Sequence, residues 1–362
     1  MVRPPATPTE VHVIAFLANL SIKVGQRVSA GPYSVCSSDD DLLKRLTPTP
    51  ANRTAEALLQ KFRNHWGTPF KPACLVSESA GKVPAEEVRD LRNICAVAGM
   101  IGGTACMLGR GQWIAHHSDH FDFYHFTPGL GGMVGTFDGP SGGASDPEGF
   151  AGTGSAWVHD PSNFKVVFDR VLLNQLIWAW EERHQRKSES ALLIRVFRAL
   201  EVAMHAGRFP SDGLTTLNDV GTRIALWVSA FEILLRPETG DVDKRKVQEA
   251  LARVDWRRTQ LKTEEYDISH RSKQLKVTYP EKVYDLLYSA RNDFLHGNEV
   301  GNDVLRWRRP GAEEPSGLQM SAPCLFGAGL RAALAGHAPP PGDYDELLGL
   351  ENIERALLGP SS

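Results

Sequence analysis

The second half of the chain repeats apolar residues at a spacing of three and four, which is the period of an amphipathic helix. Polar residues or Gly and Pro separate the segments that show this spacing. The segments are residues 164–184, 191–205, 217–236, 243–256 and 281–296. Consecutive helices of this kind predict an all-α bundle over residues 156–338. A further short helix over residues 344–358 follows three prolines, and we expect residues 339–362 to form an appendage or to fix a partner.

Residues 1–155 show a mixed pattern. The apolar run over residues 11–22 predicts a buried strand, whereas residues 54–66 have helical spacing. Pro84 precedes two glutamates, and a proline with acids in the first turn predicts a helix that continues to Leu108. The first domain is therefore expected to be α+β, in a chain that is mainly α.

Glycine marks the boundary between the two halves. Twelve of the 33 glycines fall in residues 109–154. Such a segment predicts loop or hairpin structure, and we place the domain boundary at its end, near residue 155. One motif within it, Gly129–Gly135, does not fit the dinucleotide-binding fingerprint, and no phosphate-binding P-loop is present in the sequence. No cofactor is expected.

Composition excludes several classes of protein. The formal charge is -3, so this is not a strongly basic nucleic-acid-coating protein, and any nucleic-acid contact must come from a local patch. Five widely spaced cysteines without Cys-x-x-Cys predict neither a disulfide framework nor a zinc ribbon, which fits a reducing cytoplasm. The uncharged apolar stretch over residues 94–108 is shorter than the ~20 residues that span a bilayer. We expect no membrane segment.

Four histidines, His116, His117, His120 and His125, lie within ten residues beside two aspartates. Imidazole and carboxylate groups can bind zinc or manganese. Their spacing, however, gives neither a helical pair of ligands nor a recognisable fourth ligand. We therefore favour a surface or hairpin cluster, and a metal-dependent hydrolase built on these residues is an alternative.

The helix over residues 281–296 ends in a group of side chains that can act on a phosphodiester. Histidine transfers protons near neutral pH, and Gly297 as a C-cap places His296 in the last turn. Arg291 can bind a phosphate through two N–H groups. Asn292 lies on the same face as His296 and can orient it or a sugar hydroxyl.

Two apolar stripes run along this helix. One contains Val283, Leu287, Ala290 and Phe294, and the other contains Tyr284, Tyr288 and Leu295. A helix that is apolar on two sides packs on its own core and on something else. We therefore expect a two-fold homodimer through this helix.

These residues resemble the HEPN superfamily and, within it, the Apea-like HEPN proteins of bacteria. The match consists of Tyr288, Arg291, Asn292, His296 and Gly297, together with the apolar helix over residues 225–235. It covers roughly residues 160–335. The resemblance implies a helical bundle that dimerises so that two such motifs face each other and form a metal-independent RNase site.

The leading hypothesis is therefore an endoribonuclease that acts on single-stranded or looped RNA. With no Ser or Cys nucleophile in evidence, the 2′-hydroxyl of the substrate is expected to attack the adjacent phosphodiester. His296 would be the general base and acid, Arg291 would stabilise charge on the phosphate, and Asn292 would position His296 or the ribose. The resemblance implies bacterial defence against phage or a toxin-like stress response, with residues 1–155 sensing a trigger or restraining the nuclease.

Other residues could support this site. Glu232 is the only ionisable residue in residues 224–235, so its carboxylate must find a partner or have a raised pKa. The candidates are Arg291, or a structural pair with Arg223 or Arg236. Arg257, Arg258, Arg306 and Arg308 lie beside tryptophans in the sequence. Such pairs can follow RNA, but we favour a solvated helical face, because the excess of basic over acidic residues between Asp241 and Lys276 is only three.

The motif also allows an alternative from another class of function. The same dimer cleft could belong to a non-catalytic HEPN module that binds RNA, a nucleotide or a partner protein. The sequence alone does not separate this reading from the nuclease, because the motif is complete in both.

Overall fold

The computed structural model describes most of the chain. The described residues are 10–17, 20, 22–63, 68–79, 83–110, 125–128, 134–136, 168–207, 216–237, 243–270, 273–310, 312–338 and 346–359. About 56% of the described residues are helical and 15% lie in strands, which confirms a mixed but mainly helical fold.

The chain separates into two compact units. The first contains Met1–Arg92 and Asp122–Val166, and the second contains Asn93–Phe121 and Val167–Ser362. This division differs from the expected domain of residues 1–155, because the long helix from Asn93 onward groups with the second unit.

The first unit is built on an antiparallel sheet of six strands in the order β2-β3-β4-β1-β5-β6. The strands are His12–Leu17 (β1), Arg27–Ala30 (β2), Tyr33–Ser37 (β3), Ala73–Ser77 (β4), His125–Pro128 (β5) and Val134–Thr136 (β6). A short 3-10 helix covers Leu43–Arg45, and helix α1 covers Pro50–Leu59. The core of this unit includes Val13, Phe16, Leu58 and Phe62.

The predicted strand and helix are both present in this unit, but the helix begins earlier than its apolar spacing indicated. Thr49 caps α1 by accepting a hydrogen bond from the backbone N–H of Asn52 at 3.2 Å, and Pro50 occupies the first turn. Both features favour a helix start at this point. The described part of the glycine-rich segment is a hairpin of β5 and β6, as predicted.

Helix α2 covers Ala85–Gly109, close to the predicted bounds. Among the described residues it alone is long and apolar enough to cross a membrane, and 89% of its most apolar window is buried inside the protein. Burial on that scale is typical of a core helix.

Eight helices form most of the described second unit beyond α2. They are Arg170–His184 (α3), Ala191–Gly207 (α4), Leu217–Leu234 (α5), Lys244–Ala252 (α6), Thr259–Lys262 (α7), Tyr279–Leu295 (α8), Ala322–Leu334 (α9) and Glu346–Leu358 (α10). A 3-10 turn, Leu318–Met320, precedes α9. The aromatic core joins three helices: the ring of Phe231 lies 5.2 Å from that of Tyr284 and 5.3 Å from that of Phe326.

The expectation that residues 156–338 are all-α is wrong in one respect, because the second unit also contains two short hairpins. Tyr266–His270 (β7) pairs with Lys273–Val277 (β8), and Arg306–Trp307 (β9) pairs with Ser316–Gly317 (β10). Exposed and buried residues alternate around Ile268, which is the pattern of a half-buried strand.

The C-terminal helix α10 belongs to the core of the second unit and is not an appendage. Ile353, Ala356, Leu357 and Leu358 are all buried. The carboxylate of Glu354 accepts hydrogen bonds from the backbone N–H groups of Arg257 and Arg258, which lie before α7. These contacts fix α10 to the bundle.

Candidate functional site

The Arg-Asn/His motif lies at the C-terminal end of α8. The N-terminus of α8 has a capping box, in which the backbone N–H of Thr278 donates to the Glu281 carboxylate at 3.0 Å. His296 is the C-cap, and its N–H donates to the carbonyl oxygen of Asn292 at 2.9 Å. Gly297 follows with φ of +72°, the left-handed conformation that favours glycine at this position. The helix therefore ends where the sequence predicted, with Arg291, Asn292 and His296 at its C-terminal end.

The apolar surface of α8 differs from the expectation of two stripes. The first stripe packs on the bundle, since Val283, Leu287 and Ala290 are fully buried. Tyr284, which the sequence placed in a second, unpartnered stripe, is also fully buried. The exposed remainder of that stripe is Leu295, at 61% exposure, and part of Tyr288. Assembly into a homodimer stays a prediction. The apolar surface that α8 exposes for such an interface is smaller than expected.

Gly221 allows α8 to approach α5 closely beside the site. A Cβ atom added at Gly221 would lie 2.3 Å from the ring of Phe294. Gly221→Ala should therefore lower the free energy of unfolding by about 1 to 3 kcal/mol, because the ring must move out of a packed position. Chemical denaturation measures the change.

Gly329→Ala is the matched control for this prediction. It is also a helical glycine, but the nearest atom to its added Cβ would be 3.7 Å away, in ordinary contact. Alanine is the better helix former, so this variant should be neutral or more stable by up to ~1 kcal/mol. Equal stabilities of the two variants would contradict the packing argument.

The Arg291 guanidinium contacts three groups. Its Nη1 donates to Oδ1 of Asn292 at 3.0 Å, and its Nη2 lies 4.0 Å from Oε2 of Glu232. Its Cζ lies 5.6 Å from the centre of the Tyr288 ring. A quarter of the Arg291 side chain is exposed, so an incoming phosphate can reach it.

Glu232 lies across from α8 on α5, and its nearest described cation is Arg291, the first of the partners considered from the sequence. Burial raises the pKa of Glu232 above its usual value because it disfavours the charged carboxylate, and the Arg291 charge offsets part of that shift. The Arg291 guanidinium therefore compensates only part of the cost of burying the Glu232 carboxylate.

His296 is exposed at the end of α8. Within the described part of the chain, no hydrogen bond to its imidazole ring is present. An exposed imidazole without a fixed partner can both accept and donate a proton. Arg291, Asn292 and His296 thus place a guanidinium, an amide and an imidazole within the last five residues of α8 and its C-cap.

The two tryptophans beside the candidate RNA-binding arginines differ in their exposure. Arg257, Arg306 and Arg308 are exposed and Arg258 is half-buried. Trp256 is buried and donates its Nε1–H to the Leu251 carbonyl oxygen at 2.9 Å. The other tryptophan, Trp307, donates to the hydroxyl of Tyr279 at 2.8 Å. Trp256 therefore packs within the protein, whereas Trp307 is half-buried. RNA binding by these four arginines stays a prediction, as does the solvated surface that the sequence favoured.

The histidine cluster lies mostly outside the described residues. His116, His117 and His120 are not described, and His125 is described only as a backbone position in β5. Among the side chains that the structure describes, no group of three His, Cys, Asp or Glu could hold a metal ion.

All five cysteines are thiols that form no disulfide bond.

The chemical capacity of the described residues is therefore concentrated at the end of α8. Of the residues that the sequence found, the structure brings Arg291 into contact with Asn292, Glu232 and Tyr288, and it places His296 at the cap of the same helix. The sequence missed Lys244, which contacts the ring of Tyr288 and pairs with Asp285, because nothing in the local pattern links these residues. The chain matches no protein-family model, no curated protein and no solved structure.

Proposed function

We propose that the protein is a metal-independent endoribonuclease that cleaves single-stranded or looped RNA at a site formed by two copies of the end of α8. The observation that carries this proposal is that a partly exposed guanidinium, Arg291, and an exposed imidazole, His296, lie five residues apart at the C-terminal end of one helix. Phosphate binding and proton transfer are the two capacities that RNA transesterification requires.

The mechanism follows from the groups present. Arg291, Asn292 and His296 include no hydroxyl or thiol nucleophile, so the substrate supplies its own 2′-hydroxyl. His296 accepts the proton of that hydroxyl as its oxygen bonds to phosphorus, and Arg291 stabilises the charge on the non-bridging oxygens. The bond to the 5′-oxygen breaks, and His296 of the partner subunit protonates the departing oxygen. The products are a 2′,3′-cyclic phosphate and a 5′-hydroxyl.

The biological setting we propose follows from the resemblance of this motif to the Apea-like HEPN proteins. The second unit would be the nuclease, acting in the cytoplasm in defence against phage or in a toxin-like stress response. The first unit would sense a trigger or restrain the nuclease. The mainly helical second unit supports this proposal at the level of fold class.

The chemistry predicts a specific dependence on the substrate. Cleavage should persist in EDTA, and it should stop on RNA whose scissile ribose is 2′-deoxy or 2′-O-methyl, because the nucleophile is then missing. Mass spectrometry of the fragments should show the cyclic phosphate. Equal cleavage of the 2′-deoxy substrate would refute the mechanism, and RNA binding without any cleavage would support a non-catalytic binding module instead.

A further inference from the structure

A lysine from a neighbouring helix contacts the residues that hold Arg291. Lys244 is the first residue of α6, and its Nζ donates to Oδ1 of Asp285 on α8 at 2.6 Å. The two side chains are 15% and 11% exposed, so water competes little with this pair. A charge-assisted hydrogen bond in such surroundings restricts the lysine to few conformations.

The same ammonium group also lies against the tyrosine of the motif. Nζ of Lys244 is 5.7 Å from the centre of the Tyr288 ring, within the range of a cation–π contact. Asp285 and Tyr288 are three residues apart, and therefore neighbours on the surface of α8. One cation from α6 thus contacts both of them.

Arg291 continues this row by another three residues and lies 5.6 Å from the centre of the same ring. Tyr288 is therefore in contact with two cations, one from its own helix and one from α6. The contact with Lys244 helps to hold the Tyr288 ring in place. The position of the ring in turn limits where the Arg291 guanidinium can lie.

Such support matters because arginine is a long side chain with ~2 kcal/mol of rotamer entropy. Its remaining described contacts are a single hydrogen bond to Asn292 and a 4.0 Å approach to Glu232. Electrostatic catalysis requires the charge to be in place before the reaction begins.

We propose that Lys244 is a positioning residue for Arg291 that acts through Tyr288. This inference rests on the proposed function for its catalytic consequence, but the geometry it asserts can be tested without RNA. Lys244 does not contact the substrate; it fixes the ring on which the phosphate-binding guanidinium lies.

The chain contains a matched control in the adjacent residue. Arg245 also joins α6 to α8, since its Nη1 donates to Oε1 of the buried Glu281 at 3.0 Å. It makes no described contact with Tyr288 or Arg291. Lys244→Met and Arg245→Met therefore each remove one ion pair between the same two helices, and only the first removes the contact with the tyrosine.

The kinetic test compares these variants in the full-length protein. Lys244→Met should lower kcat about 10-fold to 100-fold with little change in KM, as misplacement of a reacting group does. Lys244→Arg, which retains a cation, should recover most of that loss. In an Arg291→Ala background, Lys244→Met should cause no further loss, because its effect passes through Arg291. Additive losses, or an equal loss in Arg245→Met, would overturn the inference.

Two further measurements keep the test decisive. Lys244→Met leaves the charge of Asp285 without its partner. The double variant, Lys244→Met with Asp285→Leu, removes both charges. It should recover the free energy of unfolding that Lys244→Met loses, while RNA cleavage stays slow. Recovery of full activity in the double variant would count against a positioning role.

The second measurement is the NMR resonance of the Arg291 Nε–H group, identified by its loss in Arg291→Lys. It should move in Lys244→Met and remain in place in Arg245→Met. An unchanged resonance in Lys244→Met would overturn the inference whatever the activity. A wild-type protein that cleaves no RNA would instead refute the proposed function, and the resonance would still decide the role of Lys244.

Discussion

His296→Ala and Arg291→Ala should each slow RNA cleavage by about 100-fold or more. The first variant removes the group that accepts the proton of the 2′-hydroxyl, and general acid–base catalysis of this kind contributes ~100-fold to 10,000-fold. The second removes the charge that stabilises the phosphorane-like transition state, an effect of similar size. Initial rates on a fluorescent RNA oligonucleotide measure both.

The variants should remain folded, because His296 is exposed and a quarter of the Arg291 side chain is exposed. His337→Ala is the matched histidine control: His337 is also exposed, and it lies just beyond the end of α9, after a glycine with φ of +77°. Arg186→Ala, just beyond the end of α3, is the control for an exposed arginine. Full activity in His296→Ala, with normal thermal unfolding, would exclude His296 from the reaction and leave the site as a binding surface.

Helices whose ends carry chemical signals could be predicted from the sequence, and so could their lengths to within a few residues. α8 shows this: Thr278 and Glu281 form its capping box, and Gly297 provides the left-handed residue after its end. Because these signals are local, they survive whatever the tertiary arrangement is. The site residues could be placed for the same reason, since all three lie within the last five residues of one well-defined helix or at its cap.

Elements without a polar face could not be predicted in this way. Nearly all of α9 is buried, and Pro323, Gly327 and Gly329 interrupt its pattern, so no amphipathic stripe marks it as a helix. Tyr284 was misplaced for a related reason, because its position on α8 could not show that the ring of Phe231 packs against that side as well. Burial on every side is a property of the assembled bundle and not of the spacing along one helix.

The contact between Lys244 and Tyr288 illustrates the same limit at the site. The two residues are 44 positions apart and lie on different helices, and a hairpin that the sequence did not predict lies between them. Local charge pattern indicates only that Lys244 is part of a basic segment. The tertiary fold alone gives it a defined partner.

Leu357→Ala in the C-terminal helix should lower the free energy of unfolding by about 2 to 5 kcal/mol, the usual cost of a cavity in a packed core. Leu357 is fully buried in α10. The surrounding atoms can move little to fill this cavity, because Arg309 holds the ends of α10 and α2 in place. The Arg309 guanidinium donates to the carbonyl oxygens of Ala356 at 2.9 Å and Leu108 at 3.1 Å, near the ends of α10 and α2. These carbonyls have no partner within their own helices, so the arginine fixes both helix ends at once.

Leu217→Ala removes the same atoms from a leucine that is 47% exposed, and it should change the free energy of unfolding by no more than ~0.5 kcal/mol. Urea denaturation of the two variants, followed by far-UV circular dichroism, gives both values under the same conditions. A peripheral α10, as the sequence alone suggested, would give similar small changes for the two leucines. A difference of several kcal/mol would instead show that the last helix is part of the packed core of the second unit.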